Sequence, residues 1–146
     1  FAPRLAWNGS ASAPMGLYRI DGRSLPQVGD LVLVKPDPAL RKFITERGYL
    51  PPDIPLIKRV AALSVVEICR QNEAIFIEKI HVADALLVDS IGRPMPVWSG
   101  CFTLNSDEVF LLNRHEQSLD GRYFGATKIS NVTGVAIPIL MMGPKQ

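Results

Sequence analysis

The sequence predicts a mostly β protein with one or two short helices. Three observations carry this reading. Short runs rich in Val, Ile and Leu recur along the chain, each bounded by Gly, Pro, Asp or Asn. Only one segment has both helical periodicity and capping residues. No internal repeat, low-complexity stretch or composition shift divides the 146 residues, so they read as a single domain, 1–146, long enough to bury a core.

In chain order, residues 8–18 read N-G-S-A-S-A-P-M-G-L-Y, and Asn8, Gly9, Pro14 and Gly16 make this a tight loop of small residues. Such a loop is either an exposed connector or a place where a serine, here Ser12, points into a groove. Met15 to Ile20 reads as a strand leading into Asp21-Gly22, a hairpin signal. Gly29 and Asp30 open the apolar run Leu31 to Val34. The one clear helix starts at Pro38, with Asp37 as its cap, and ends before Gly48; Leu40, Phe43 and Ile44 form its apolar stripe. After the stiff Pro51-Pro52-Asp53-Ile54-Pro55 segment, Leu56 to Cys69 is a long β run with Lys58 and Arg59 inside it. Ala74 to Ile80 and His81 to Val88 suggest two more strands or one bent pair. A Pro/Gly-rich loop leads to a strand at Glu108 to Asn113, and Ser130 to Met142 is the last.

Composition excludes several classes. Apolar residues are 47% of the chain, too many for disorder. The 16 basic and 14 acidic residues are interspersed without a basic stripe, so nucleic acid is not an expected partner. No apolar run reaches the roughly 18 residues needed to span a bilayer. The chain starts at Phe1 without an initiator Met, so the expectation is that an N-terminal signal or membrane anchor has been removed. His81 and His115 are isolated from each other and from the cysteines, so neither a metal nor another cofactor is expected. Cys69 and Cys101 are either two buried thiols or one bridge in an oxidising compartment.

Lys58, flanked by Leu56, Ile57 and Val60, also has two readings. It can snorkel from the wet face of a strand. Alternatively it points inward, where burial disfavours the ammonium form and leaves an amine able to act as a base. A serine nucleophile requires such a base, because an unassisted hydroxyl reacts poorly.

Six boxes in order, N-G-S-A-S-A-P-M-G-L-Y, G-D-L-V-L-V, R-G-Y-L, L-I-K-R-V-A-A, D-S-I-G-R-P-M-P-V-W-S-G-C and E-V-F-L-L-N…S-L-D-G-R-Y-F-G, resemble the TraF-type conjugative transfer signal peptidases. These belong to the type I signal peptidase family of serine/lysine proteases. The resemblance runs from Asn8 to about Pro138. It implies a fold of signal-peptidase-like coiled antiparallel β-sheets, with the helix near 38–47 and the 85–105 region as insertions. It implies Ser12 as nucleophile, Lys58 as general base, and Ser10 with the Ser12 N–H as oxyanion donors. Ser118 matches a serine that holds the lysine. Asp120 and Arg122 match the last box, where Asp120 is either a third functional residue or the partner of Arg122 that fixes the loop. Ala11, Ala13, Met15 and Leu17 would line a groove for small residues before the cut, and Cys69 and Cys101 stand where this branch carries cysteines that can bridge.

The implied substrate is a secreted or membrane-bound pro-protein, here a conjugative pilin precursor, cut by a monomeric enzyme at the periplasmic face of the bacterial inner membrane. Water or an amine would resolve the acyl-enzyme, the latter giving a circular product. The alternatives are a repressor-type Ser/Lys autoprotease and a non-catalytic component of a transfer apparatus. Three departures from the family pattern stand out. A-A-L-S-V-V-E-I-C replaces a Gly-rich turn after K-R-V, Asn113 replaces an acidic residue that faces the arginine after the lysine, and Gly121 gives S-L-D-G-R a more flexible loop.

Overall fold

The computed structural model describes residues 4–8, 13–51 and 55–142. Among these, the strands are β1 (Arg4–Asn8), β2 (Gly16–Asp21), β3 (Leu31–Val34), β4 (Leu56–Ala62), β5 (Glu67–Gln71), β6 (Ala74–Ile77), β7 (Ile80–Asp84), β8 (Gly100–Thr103), β9 (Glu108–Leu111), β10 (Thr127–Lys128) and β11 (Val132–Met141). Two helices, α1 (Pro38–Arg47) and α2 (Gly121–Phe124), and a 3₁₀ turn at Ile129–Asn131 complete the order. A seven-stranded sheet runs β1-β2-β11-β3-β4-β9-β10 and a four-stranded sheet runs β7-β6-β5-β8. Every strand pair is antiparallel. The mostly β reading therefore holds.

Helix α1 forms as its sequence dictates. The Asp37 carboxylate accepts from the Leu40 N–H at 2.8 Å, Pro38 needs no donor in the first turn, and Gly48 closes the helix in the left-handed region at φ 66°. Its buried Ile44, with Leu40 beside it, packs onto Val32, Val34, Leu56 and Val60 of the large sheet. A second cluster (Ala62, Ile68, Ile75, Leu104, Phe110 and Leu112) glues β4 and β9 to the small sheet. A third gathers Ala13, Tyr18, Ile20, Leu31, Leu33 and Ile57.

Several sequence expectations need correction. Asp21-Gly22 does not form a hairpin between neighbours, because β11 lies between β2 and β3. Its turn chemistry is real, since the Asp21 carboxylate accepts from the N–H groups of Arg23 and Ser24. A local turn signal reports that the chain bends and not which strands then pair. The run from Leu56 to Cys69 is two strands, β4 and β5, in different sheets; the break includes Val65 at φ 59°. Glu78 and Lys79, both at positive φ, turn β6 into β7, a hairpin without the usual turn residues. Strand β8 lies at the end of the Pro/Gly-rich loop, and β1, unforeseen, pairs with β2.

Cys69 on β5 faces Cys101 on β8 in register, and a disulfide joins them. It closes a sequence separation of 32 residues, for which chain-entropy arguments give about 3 to 4 kcal/mol. Reduction should therefore lower the urea midpoint of unfolding well beyond experimental error. Coincident curves with and without dithiothreitol would contradict that value.

Candidate active site

Lys58 stands in the middle of β4, opposite Val32 of β3. Side chains alternate across a strand, so Lys58 shares its side with Leu56 and Val60, which are core residues under α1. The inward reading is the one realised: Lys58 is only 7% exposed. Its Nζ donates to the Ser118 Oγ at 3.3 Å. Burial strips water from the ammonium and lowers the pKa from 10.5 to about 8. The field of Asp120 opposes this shift and that of Arg122 assists it, so the two partly cancel and desolvation decides.

The loop beyond β9 supplies those groups. Asp120 caps α2, and its carboxylate accepts from the Arg122 N–H (3.1 Å), the Arg122 Nε (3.1 Å) and the Asn113 N–H (2.9 Å). The remaining guanidinium nitrogens of Arg122 donate to the carbonyls of Asn113 (2.6 Å), His115, Glu116 and Asp84. Residues 113–116 and Asp84 thus surround one buried cation. Burial raises the Asp120 carboxyl above its ordinary value against the pull of these donors. Asp120 pairs with Arg122 and makes no hydrogen bond to Lys58 among the described residues. This is the arrangement expected of a residue that fixes the loop.

Asn113 is the residue whose role the sequence hid. Its Oδ1 accepts from the Arg59 N–H at 2.8 Å and its Nδ2 donates to the Ile57 carbonyl at 3.1 Å. One side-chain amide therefore brackets Lys58 and extends the β4–β9 ladder where the backbone of β9 has ended. A carboxylate could accept here but not donate. The Arg59 side chain, left without an acidic partner at position 113, donates to the Gly29 carbonyl at 2.9 Å.

Gly121 is not a flexible loop residue. It opens α2 and is buried; a Cβ there would lie 2.6 Å from the Phe110 ring and 2.9 Å from the Leu111 carbonyl. Two groups of the opposite flank hold the carbonyls of α2. Trp98 Nε1 donates to those of Gly121 and Arg122, and Arg70 Nη1 to that of Arg122 at 2.8 Å. Trp98 lies in the D-S-I-G-R-P-M-P-V-W-S-G-C box but was given no role there, and no motif marked Arg70. The signal available for Arg70 was a charged residue near buried Ile68 on β5.

Ser10, Ala11 and Ser12 lie outside the described residues. Around them, Asn8 faces Gly16 across β1 and β2, and the Asn8 Nδ2 donates to the carbonyls of Ala13 and Pro14. Ala13 does not line a groove, because it is packed among Tyr18, Ile20 and Ile57 in the core. Met15 and Leu17 are half-buried.

A cavity of about 340 Å³ opens beside the amine, with Lys58 and Ser118 in its wall. Its other walls are mostly apolar, from Leu50 and Leu56 on one side, Leu86, Val88 and Met95 on another, and Leu119.

Comparison with known proteins adds a lineage to this geometry. Residues 2–141 match the family model described as signal peptidase, peptidase S26. The chain is 33% identical to the "Probable conjugal transfer protein TraF" of Sinorhizobium fredii (strain NBRC 101917 / NGR234), over 94% of this chain and 77% of that protein. It is 33% identical to the "Conjugal transfer protein TraF" of Agrobacterium fabrum (strain C58 / ATCC 33970), over 94% and 82%, and 29% identical to a "Plasmid transfer protein TraF" of Escherichia coli, over 91% and 81%. Among solved structures, a signal peptidase I from Enterococcus faecalis V583 aligns with a TM-score of 0.44 and 19% identity, over 77% of this chain and 97% of that one.

The lowered pKa of Lys58 has a measurable cost. Between about 8, where the folded chain releases this proton, and 10.5, where the unfolded chain does, the unfolded chain holds more protons, so stability rises with pH. From this residue the gain is about 3 kcal/mol, fully present above that window and lost as pH falls through 8. Urea unfolding of the wild type and Lys58→Met at pH 7 and pH 10.5 should differ by this amount; identical pH dependence would show that the ammonium is not desolvated.

Proposed function

The chain belongs to the signal peptidase family of S26 peptidases, and from that membership we propose that it is a serine endopeptidase that cleaves a secreted or membrane-bound precursor during conjugal transfer, foremost a pilin precursor. In this reading the Ser12 Oγ attacks the scissile carbonyl and an acyl-enzyme forms as the peptide C–N bond breaks. Lys58 takes the serine proton and returns it to the leaving amine. The Ser12 N–H and the Ser10 hydroxyl hold the oxyanion, and loss of one such donor costs about 3 kcal/mol in other serine proteases. Water then releases the acid; an amine in its place would join two chain ends.

The observation that carries the proposal is the state of Lys58, a buried amine whose pKa is brought to about 8 and whose nitrogen is aimed by Ser118. Two further features suit work at the outer face of a membrane. The disulfide fits an oxidising compartment. Trp7, Leu17 and Leu140 form one cross-strand row, with Trp7 and Leu140 exposed, as a lipid-facing surface requires.

Ser12→Ala and Lys58→Ala should each reduce processing of a pilin precursor by on the order of 10⁴-fold, with circular dichroism unchanged. Wild type should be labelled at Ser12 by an acylating serine probe, and unlabelled protein would favour a non-catalytic role. The rate should climb with pH towards a plateau with an apparent pKa near 8. A limb near 10.4, the free lysine value, would rule out Lys58 as the base. The mass of the product, linear or one water lighter, reports whether water or an amine resolves the intermediate.

A further inference from the structure

The cavity beside Lys58 has a built outer wall. Residues 86–95 fold back on themselves through hydrogen bonds from the Asp89 N–H to the Arg93 carbonyl and from the Met95 N–H to the Leu87 carbonyl. The tip of this excursion is latched to the end of α1. The Asp89 carboxylate accepts from the Tyr49 hydroxyl at 2.8 Å and the Arg93 Nε at 2.7 Å, with Arg47 Nη1 at 3.6 Å. Arg93 in turn donates to the Arg47 carbonyl, and its guanidinium lies over the Tyr49 ring. Despite burial, these donors hold the Asp89 carboxyl well below the usual carboxylate range. The only anion that the described residues contribute to the cavity is therefore already engaged. What remains open to an occupant is mostly apolar surface with the lysine amine at one edge.

The geometry points to a specificity subsite here: the cavity walled by Leu50, Leu56, Leu86, Val88 and Leu119 receives a bulky apolar side chain of the substrate, from the leaving-group side of the scissile bond. This rests on the peptidase reading and deepens it. The side follows from the chemistry of the base. An amine that hands its proton to the leaving nitrogen must lie within hydrogen-bond reach of it, so space opening directly off the Lys58 nitrogen is where the departing chain begins. The size follows from the volume, about 340 Å³, at the low end of the roughly 300–1,000 Å³ range of ligand pockets. An alanine would leave nearly all of it empty, whereas a leucine or phenylalanine would occupy a substantial part of it and displace water from beside the amine. A basic side chain would be desolvated there with no free anion to meet it.

The test uses internally quenched peptides with Ala before the cut, in which each of the first three residues after it is varied among Ala, Leu and Phe. At one of these positions Leu or Phe should raise kcat/KM by about 10-fold or more over Ala. Val88→Trp and Leu119→Trp, which narrow the cavity, should bring that ratio towards one. Amine-side fragments carrying the favoured residue should also slow acylating-probe labelling of Ser12 more than their Ala counterparts, a readout that needs no turnover. Equal rates and equal protection across the panel, a bulky preference confined to residues before the cut, or a ratio unchanged in both Trp variants would each overturn the subsite. With Ser12 labelled, such results remove the subsite alone. With Ser12 neither labelled nor required for cleavage, the peptidase reading falls and the subsite with it.

Discussion

A lysine side chain held out of water is the constraint around which the rest of this molecule is arranged. Solvation alone would draw Lys58 to the surface, and a strand would allow it. It stays inside because β4 is fixed on both flanks, by β3 along its length and by β9 and the Asn113 amide on the other side. The Asp120–Arg122 pair lies near the amine without giving it a direct partner. An apolar replacement for that pair could pack as well, but it would not bind the three loop carbonyls and the Asp84 carbonyl that Arg122 collects. The pair is thus best understood as a clamp on the loop that presents Ser118.

The two sheets divide this labour. The large sheet carries the lysine and packs on α1, while the small sheet reaches the site from behind. Phe110 and Leu112 pack against Ile68 and Ile75, and Arg70 and Trp98 bind the carbonyls of α2. The disulfide lies inside this supporting sheet, between β5 and β8. A contact made by Arg70, 52 positions from Arg122, is therefore part of how the last box keeps its shape.

Much of this was legible in the sequence, and the unreadable part has a physical pattern. Local chemistry was readable: the Asp37 cap and Gly48 stop define α1, and the apolar neighbours of Lys58 made an inward amine conceivable. Ordered boxes carried the family. What failed was pairing at a distance. Nothing local in Asp21-Gly22 says that β11 will insert beside β2, and nothing in Glu78-Lys79 advertises a tight turn, because tertiary packing overrides turn propensity there. Asn113 looked like a lost ion pair, since its value lies in donating and accepting to two backbone groups 56 and 54 positions away. Gly121 looked like slack in a loop, since the ring of Phe110 that forbids a side chain there belongs to a different element, β9. Ala13 looked like groove lining, since small size alone does not distinguish a surface from a core.

The value of about 8 for Lys58 has a kinetic meaning beyond stability. In the proposed reaction only about one molecule in ten would hold the amine uncharged at neutral pH, and a peptide that closed over the site and shed more water would raise that share.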